Sequence, residues 1–161
     1  MLEVFGLPAH ILFLHAAVVL APIAALLGIA YAVRPVWRKV LEWPAVIVTF
    51  IATISTLLTA SAGEALEHAM PRNELIHEHA EQGDLMKLAA LIFTVALYVT
   101  IALYGPWFSA KLSFLAKLQE MRWLGVLFQV LTVITGLFVI YQVVVTGHTG
   151  AQAAWSDWRS S

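Results

Sequence analysis

The stretch "HILFLHAAVVLAPIAALLGIAYAV", residues 10–33, decides the fold class because it contains no Lys, Arg, Asp or Glu. The charge-free run that holds it begins at residue 4, and three more such runs cover residues 43–63, 88–110 and 123–147. A helix needs roughly 20 apolar residues to cross a bilayer, so each run is long enough. The pattern predicts an all-α protein, an integral membrane four-helix bundle.

The composition agrees with this class. Hydrophobic residues make up 61% of the chain and charged residues 12%, where soluble domains carry about 25% charged residues, and the mean hydropathy is +0.84. The chain has no cysteine, which excludes disulfides, iron–sulfur ligation and covalently attached c-type haem. With a net charge of −1 and no basic tract, we expect no nucleic-acid partner.

Local signals set the expected helix ends. Pro8 suits a first helical turn, Pro22 predicts a kink, and Asn73 is an expected N-cap. The glycine-containing run "TGHTG", residues 146–150, is expected to end the fourth helix and to leave an amphipathic tail, 150–161, at the membrane interface. We predict one domain, residues 1–161, with helices at about 8–33, 44–70, 74–104 and 120–146.

Basic residues predict the orientation of the bundle, because Lys and Arg in short loops favour the cytoplasmic side. The first and third predicted loops hold most of them: Arg34, Arg38, Lys39, Lys111, Lys117 and Arg122. We therefore expect both termini and the acidic second loop on the outer side. Four tryptophans, Trp37, Trp43, Trp107 and Trp123, are placed to form an aromatic belt at the inner boundary.

All the histidines fall in the predicted outer half of the bundle. His15 lies about 10 Å along the helix from Pro8 at 1.5 Å per residue, and a polar residue at such depth usually faces the bundle interior. His10 is about 140° away around the helix and is expected near the rim. His148 stands between glycines whose freedom could aim its ring back over the bundle. The full set is His10, His15, His68, His77, His79 and His148.

The third helix offers one inward histidine, because His77 and His79 lie about 200° apart around it. We expect His79 to face inward. Gly83, one turn further on, leaves room for a flat group beside the helix. The same stripe continues with Met86, Ala90 and Phe93.

Histidines on facing helices fit a b-type haem, which needs two axial imidazoles and an apolar slot inside a helical bundle. We expect one or two haems, with His15 and His79 as the axial pair. His10 and His148 are the alternates, or the ligands of a second haem. Arg72 or Lys87 is placed to meet the haem propionates. Such a protein would be an electron carrier rather than a stand-alone enzyme.

Two alternatives stay open at this point. The same histidines, with nearby carboxylates, could hold zinc or copper, which take three or four such ligands. The residues offered for that metal site are His10, His15, His79 and His148. The chain could also be a cofactor-free structural subunit of a larger respiratory complex.

Four motifs, "LPAHILFLHAAVVLAP", "SAGEALEH", "HEHAEQGDLM" and "TGHTGAQAAW", resemble a family of small bacterial membrane proteins known as domain of unknown function number 2231. The resemblance covers nearly the whole chain and matches His15 with Pro22, His79 with Gly83, and His148 within its glycine-rich turn. The spacing from His15 to its proline is longer than in the family pattern. The resemblance implies a multi-pass protein of the bacterial cytoplasmic membrane that takes part in electron transport. The haem hypothesis itself predicts the bilayer, respiratory redox proteins and a quinone as partners, and leaves open whether the chain forms an oligomer.

Overall fold

The structure is a computed structural model that describes residues 3–4, 7–111 and 116–156. A pair of two-residue antiparallel strands, Glu3–Val4 (β1) and Leu7–Pro8 (β2), precedes the first helix. The helices are α1 (Ala9–Val33), α2 (Arg38–Glu67), α3 (Glu74–Tyr104), α4 (Phe108–Lys111), α5 (Ala116–Glu120) and α6 (Arg122–Trp155). A 3-10 turn, Pro35–Trp37, joins α1 to α2.

Four of these helices, α1, α2, α3 and α6, are long and apolar enough to cross a membrane. This confirms the predicted helical fold with four candidate spans and indicates a multi-pass membrane protein. Helix α1 packs along α2 and α6, and α3 packs along the same two helices. The spans therefore form a four-helix ring. We call the end that holds the start of α1 and of α3 the histidine end, and the opposite one the basic end.

Alanine and threonine make up most of the buried side chains in the interior of the ring, together with a few large ones such as Leu97 and Phe93. Ala25 and Ala45 are fully buried, and Thr49 and Thr132 are buried beside them. Large apolar side chains such as Leu26 point outward and are exposed. Lipid tails are as apolar as large side chains, so burying such side chains between membrane helices gains no hydrophobic free energy. Membrane helices therefore pack closely through small residues. This distribution therefore favours contact between the outer surface and lipid.

Helix α3 has the predicted bounds, and its N-cap is confirmed because the Asn73 side chain accepts a hydrogen bond from the Leu75 amide at 2.9 Å. The predicted start of the second helix at residue 44 is wrong, since α2 begins at Arg38 and contains Pro44. Proline is tolerated inside membrane helices because neighbouring groups satisfy the freed backbone. Helix α2 also ends at Glu67, three residues before the predicted end at residue 70.

The predicted break at residues 146–150 is also wrong, because α6 runs through both glycines to Trp155. Each glycine in a helix costs about 1 kcal/mol relative to alanine, but packing holds this segment helical. The Thr146 hydroxyl donates to the Gln82 carbonyl of α3 at 3.2 Å. As far as Trp155, the residues of the predicted amphipathic tail therefore form the last turns of α6. Residues 157–161 lie outside the described residues.

A buried carboxylate that the sequence reading missed closes the basic end. Glu42 of α2 is 2% exposed and accepts hydrogen bonds from the backbone amides of Trp107 at 3.1 Å and Phe108 at 2.8 Å. Glu42 thereby ties α2 to the start of α4. The Trp43 and Trp107 rings lie 5.0 Å apart beside this contact, at the level where the aromatic belt is expected.

Candidate functional site

Two histidine rings meet at the histidine end. The ring centres of His10, from α1, and His79, from α3, are 6.1 Å apart, and the ring planes are nearly perpendicular at 83°. Each ring is partly buried and lies against a glycine of a third or fourth helix. All four spanning helices therefore contribute to this pair, which we call the histidine pair.

His10 is fixed by α2. Its Nδ1 lies 2.9 Å from the carbonyl oxygen of Thr59. A Cβ atom added at Gly63 would lie 2.9 Å from the same Nδ1, so the ring rests directly on the glycine backbone. Small residues let helices approach closely, and the absence of a side chain at Gly63 leaves the space that the imidazole fills.

His79 is fixed by α6 in a parallel manner. Its Nδ1 lies 3.2 Å from the hydroxyl oxygen of Thr149, and that hydroxyl donates to the Thr146 carbonyl at 3.1 Å. A Cβ atom added at Gly150 would lie 2.9 Å from Cε1 of the His79 ring. The last turns of α6 therefore supply both the hydrogen-bond partner of the His79 ring, Thr149, and the glycine that leaves space for it, Gly150.

These partners assign the proton on each ring. A carbonyl oxygen only accepts, so Nδ1 of His10 must donate to Thr59. The Thr149 hydroxyl donates its single hydrogen to the Thr146 carbonyl, which favours Nδ1 of His79 as the donor to Thr149, and the His79 ring also hydrogen-bonds the Thr146 backbone. A neutral imidazole with its proton on Nδ1 keeps a lone pair on Nε2. A histidine whose Nδ1–H is held by a second group is the usual form of a metal-ligating histidine.

His15 does not face the interior, and that expectation is wrong. The residue is exposed, and its Nδ1 bonds to the carbonyl oxygen of Ile11 in its own helix at 2.7 Å. The reason is the register of α1. Its buried stripe passes through Ala17, Ala24 and Tyr31, which follow His10 at intervals of seven residues. His10 therefore lies on the inward face and His15 on the outward one.

His148 is exposed as well, so the expectation that it turns back over the bundle is wrong. A turn at residues 146–150 would have allowed this, but the continuous helix places the neighbouring Thr149 inward instead. Thr149 is 6% exposed and holds His79. The inward position of Thr149 does not follow from the sequence pattern, because the glycines of the run 146–150 predict a break there and not a continuous helix.

The expectation that His79 faces inward and His77 does not is confirmed, since His79 is partly buried. His77 is exposed, with its Nδ1 2.9 Å from a carboxylate oxygen of Glu67. The stripe expected to follow His79 is also inward, since Met86, Ala90 and Phe93 are all buried.

The other candidate residues lie at the same end of the bundle as the histidine pair. A Cβ atom added at Gly83 would meet nothing within 4 Å, so there is open space one turn from His79. Arg72 is exposed in the turn between α2 and α3, at the same end of the bundle, and His68 is exposed as well.

In the parts of the chain that the structure describes, no three His, Cys, Asp or Glu side chains come together in a way that could hold a metal ion. The arrangement present is a pair of imidazoles. This is a full set of axial ligands for a haem, whereas a protein zinc site takes at least three protein ligands.

Comparison of the chain with protein-family models, curated proteins and solved structures found no match. The histidine pair is therefore the feature from which a function can be inferred.

The two glycines beneath the rings give a test of this geometry. A methyl group at Gly63 or Gly150 would push the imidazole off its Nδ1 partner, and loss of such a partner costs about 10- to 100-fold in metal affinity. We expect Gly63→Ala and Gly150→Ala each to weaken ligand binding at the pair by that factor, measured by titration of the purified protein with haem.

Gly147→Ala is the matched control, because a Cβ atom there meets nothing within 4 Å. All three changes improve helix propensity by a similar amount. Equal haem affinity in the three variants would therefore refute the packing of the rings on Gly63 and Gly150.

Proposed function

We propose that the chain is a membrane-embedded b-type haem protein with His10 and His79 as the axial ligands. It transfers electrons between a donor in the membrane, such as a quinol, and an acceptor on the outer side. The observation that carries the proposal is the histidine pair: two imidazoles from different helices, 6.1 Å apart, each with its Nδ1 bonded to a group of a neighbouring helix. The pairing replaces the expected one between His15 and His79.

The spacing of the rings fits a metal between them. At 6.1 Å between their ring centres, His10 and His79 would be the residues that hold one haem iron between α1 and α3. The open space at Gly83 supports room for a flat macrocycle beside α3.

Three residues at this end of the bundle have proposed roles in holding the haem. The Thr59 carbonyl and the Thr149 hydroxyl orient the two rings and raise their basicity as ligands. Arg72, exposed at the same end, is the residue that we assign to the haem propionates. Bound haem supplies one-electron redox chemistry, with a potential tuned by its axial ligands and burial.

The charge of the connecting segments gives the proposed orientation. The basic end carries Arg34, Arg38 and Lys39, which favour the cytoplasmic side. The histidine end then faces outward, with its partly exposed pair close to an outer acceptor. In this arrangement the protein is a multi-pass component of the bacterial cytoplasmic membrane.

The direct test is the cofactor content of the purified protein. The chain is expressed with ample haem and purified in detergent, and haem and metals are quantified together. We expect bound haem b, with its Soret band, in near-stoichiometric amount. A folded protein without haem would overturn the proposal, and near-stoichiometric zinc or copper in its place would favour the metal-binding alternative.

A further inference from the structure

A buried glutamine lies two turns before the residues of α6 that hold His79. Gln142 is 2% exposed, and it belongs to a helix that is apolar enough to cross a membrane. It precedes Thr149 by seven residues, about 10 Å along the helix at 1.5 Å per residue, and such a spacing returns to the same helix face. A polar side chain in this position usually bonds to a neighbouring helix or marks a functional site.

Gln142 joins α6 to α3. Its Nε2 donates to the side-chain oxygen of Gln82 at 2.8 Å and to the backbone carbonyl of the same residue at 3.3 Å. The hydroxyl of Thr146, one turn beyond Gln142, donates to that backbone carbonyl at 3.2 Å. Two side chains of α6 therefore bind a single residue of α3, and that residue lies one turn from His79.

The hydrogen bonds continue from Thr146 to the His79 ring. The Thr146 backbone carbonyl accepts from the Thr149 hydroxyl at 3.1 Å, and it also hydrogen-bonds the ring itself. Thr149 in turn bonds to Nδ1 of His79 at 3.2 Å. One hydrogen-bonded network, which we call the glutamine network, therefore connects α3 and α6 through Gln142, Gln82, Thr146, Thr149 and His79.

The end of α6 depends on such an attachment. It contains Gly147 and Gly150, and each glycine weakens a helix relative to alanine. Thr149 is buried there, whereas Gly147 and His148 are exposed, so this part of α6 is packed on one side. The bonds of Gln142 to α3 fix the rotation of the helix just before these glycines.

We propose that Gln142 is a positioning residue for His79. By binding Gln82 it sets the rotation and height of α6 against α3, and it thereby places Thr149 and Gly150 against the imidazole. The placement of the ring follows from the glutamine network alone, whereas its effect on haem rests on the proposed function. A glutamine that served as a contact between helices and nothing more would stabilise the bundle without changing the surroundings of His79.

Gln142→Met tests this role, because methionine is a similarly flexible, unbranched side chain that donates no hydrogen bond. The matched control is Gln129→Met on the same helix, since Nε2 of Gln129 donates to the Ala32 carbonyl of α1 at 3.2 Å. Each change removes an amide bond between two helices, and we expect both to lower Tm. Gln129 lies about 20 Å from Gln142 along α6, so its loss should not reach His79.

The measurement is the nitrogen-15 NMR spectrum of the haem-free protein labelled at its histidines, in which His79 is assigned by comparison with His79→Ala. We expect the side-chain signals of His79 to move in Gln142→Met and to stay in Gln129→Met. Gln82→Met keeps the Gln82 backbone carbonyl as an acceptor, so it should move the signals less, and it replaces Gln142→Met if that variant does not fold. Unchanged His79 signals in the variants of Gln142 and Gln82 would overturn the proposal.

Titration with haem separates the positioning role from the proposed function. We expect Gln142→Met to bind haem about 10-fold more weakly than the parent protein, and Gln129→Met to bind it equally well. In a parent protein that binds haem, equal affinity in the two variants would count against the role of Gln142. A parent protein that binds no haem, with His79 signals that still move in Gln142→Met, would overturn the haem function and support the positioning role.

Discussion

Replacing His10 or His79 by alanine should lower haem affinity by at least about 100-fold, because each change removes one of the two axial ligands and not merely a supporting group. The same replacement at His15 or His148 should leave the affinity unchanged. These two residues are exposed, and their rings lie outside the histidine pair. The measurement is the haem retained by each purified variant, followed by titration with haem.

The four variants control one another, since each loses an imidazole near the same end of the bundle. Helix content by circular dichroism should be equal in all of them. Added imidazole should restore part of the absorption of His79→Ala, because it can occupy the space that the ring leaves beside Gly150. Loss of haem in His15→Ala, with binding retained in His10→Ala, would reverse the assignment of the axial pair.

Glu42→Ala should destabilise the protein by about 3 kcal/mol, the second large effect that we expect. Hydrogen bonds to charged groups contribute about 1.5–3 kcal/mol each, and Glu42 accepts from the amides of both Trp107 and Phe108. The alanine variant leaves these two donors without their acceptor and opens a gap between α2 and the start of α4. The measurement is the free energy of unfolding in detergent.

Two further variants serve as controls for the loss of stability expected in Glu42→Ala. Glu42→Gln keeps one acceptor oxygen in place and should cost about half as much. Glu64→Ala, at an exposed position on the same helix, should stay within about 0.5 kcal/mol of the parent. If Glu42→Ala were no less stable than Glu64→Ala, the contact at the basic end would contribute nothing.

The spans of the bundle could be predicted from the sequence because long charge-free runs have few alternatives to membrane helices. The Asn73 cap and the inward position of His79 followed from local rules of spacing and capping. The position of His10 could have been found by the same means, since it lies seven residues before Ala17 and so shares its stripe of small residues. Depth along the helix favours His15 as the inward histidine, whereas register favours His10.

Other features depend on packing between helices. The run 146–150 contains two glycines, and local propensity alone favours a break, whereas contacts of Thr146 with Gln82 and of Thr149 with His79 hold the helix. Glu42 lies at the edge of a charge-free run and resembles a loop residue in sequence. Only the partners across the bundle, distant along the chain, show that its carboxylate is buried.

The most direct test of the central claim is the electron paramagnetic resonance spectrum of the oxidised protein with haem bound. Two imidazoles on one ferric haem give a low-spin, six-coordinate signal, and we predict this signal for the parent protein and its loss in His10→Ala and in His79→Ala. A high-spin signal in the parent protein, or a low-spin signal that survives both replacements, would contradict the assignment of His10 and His79 as the axial pair.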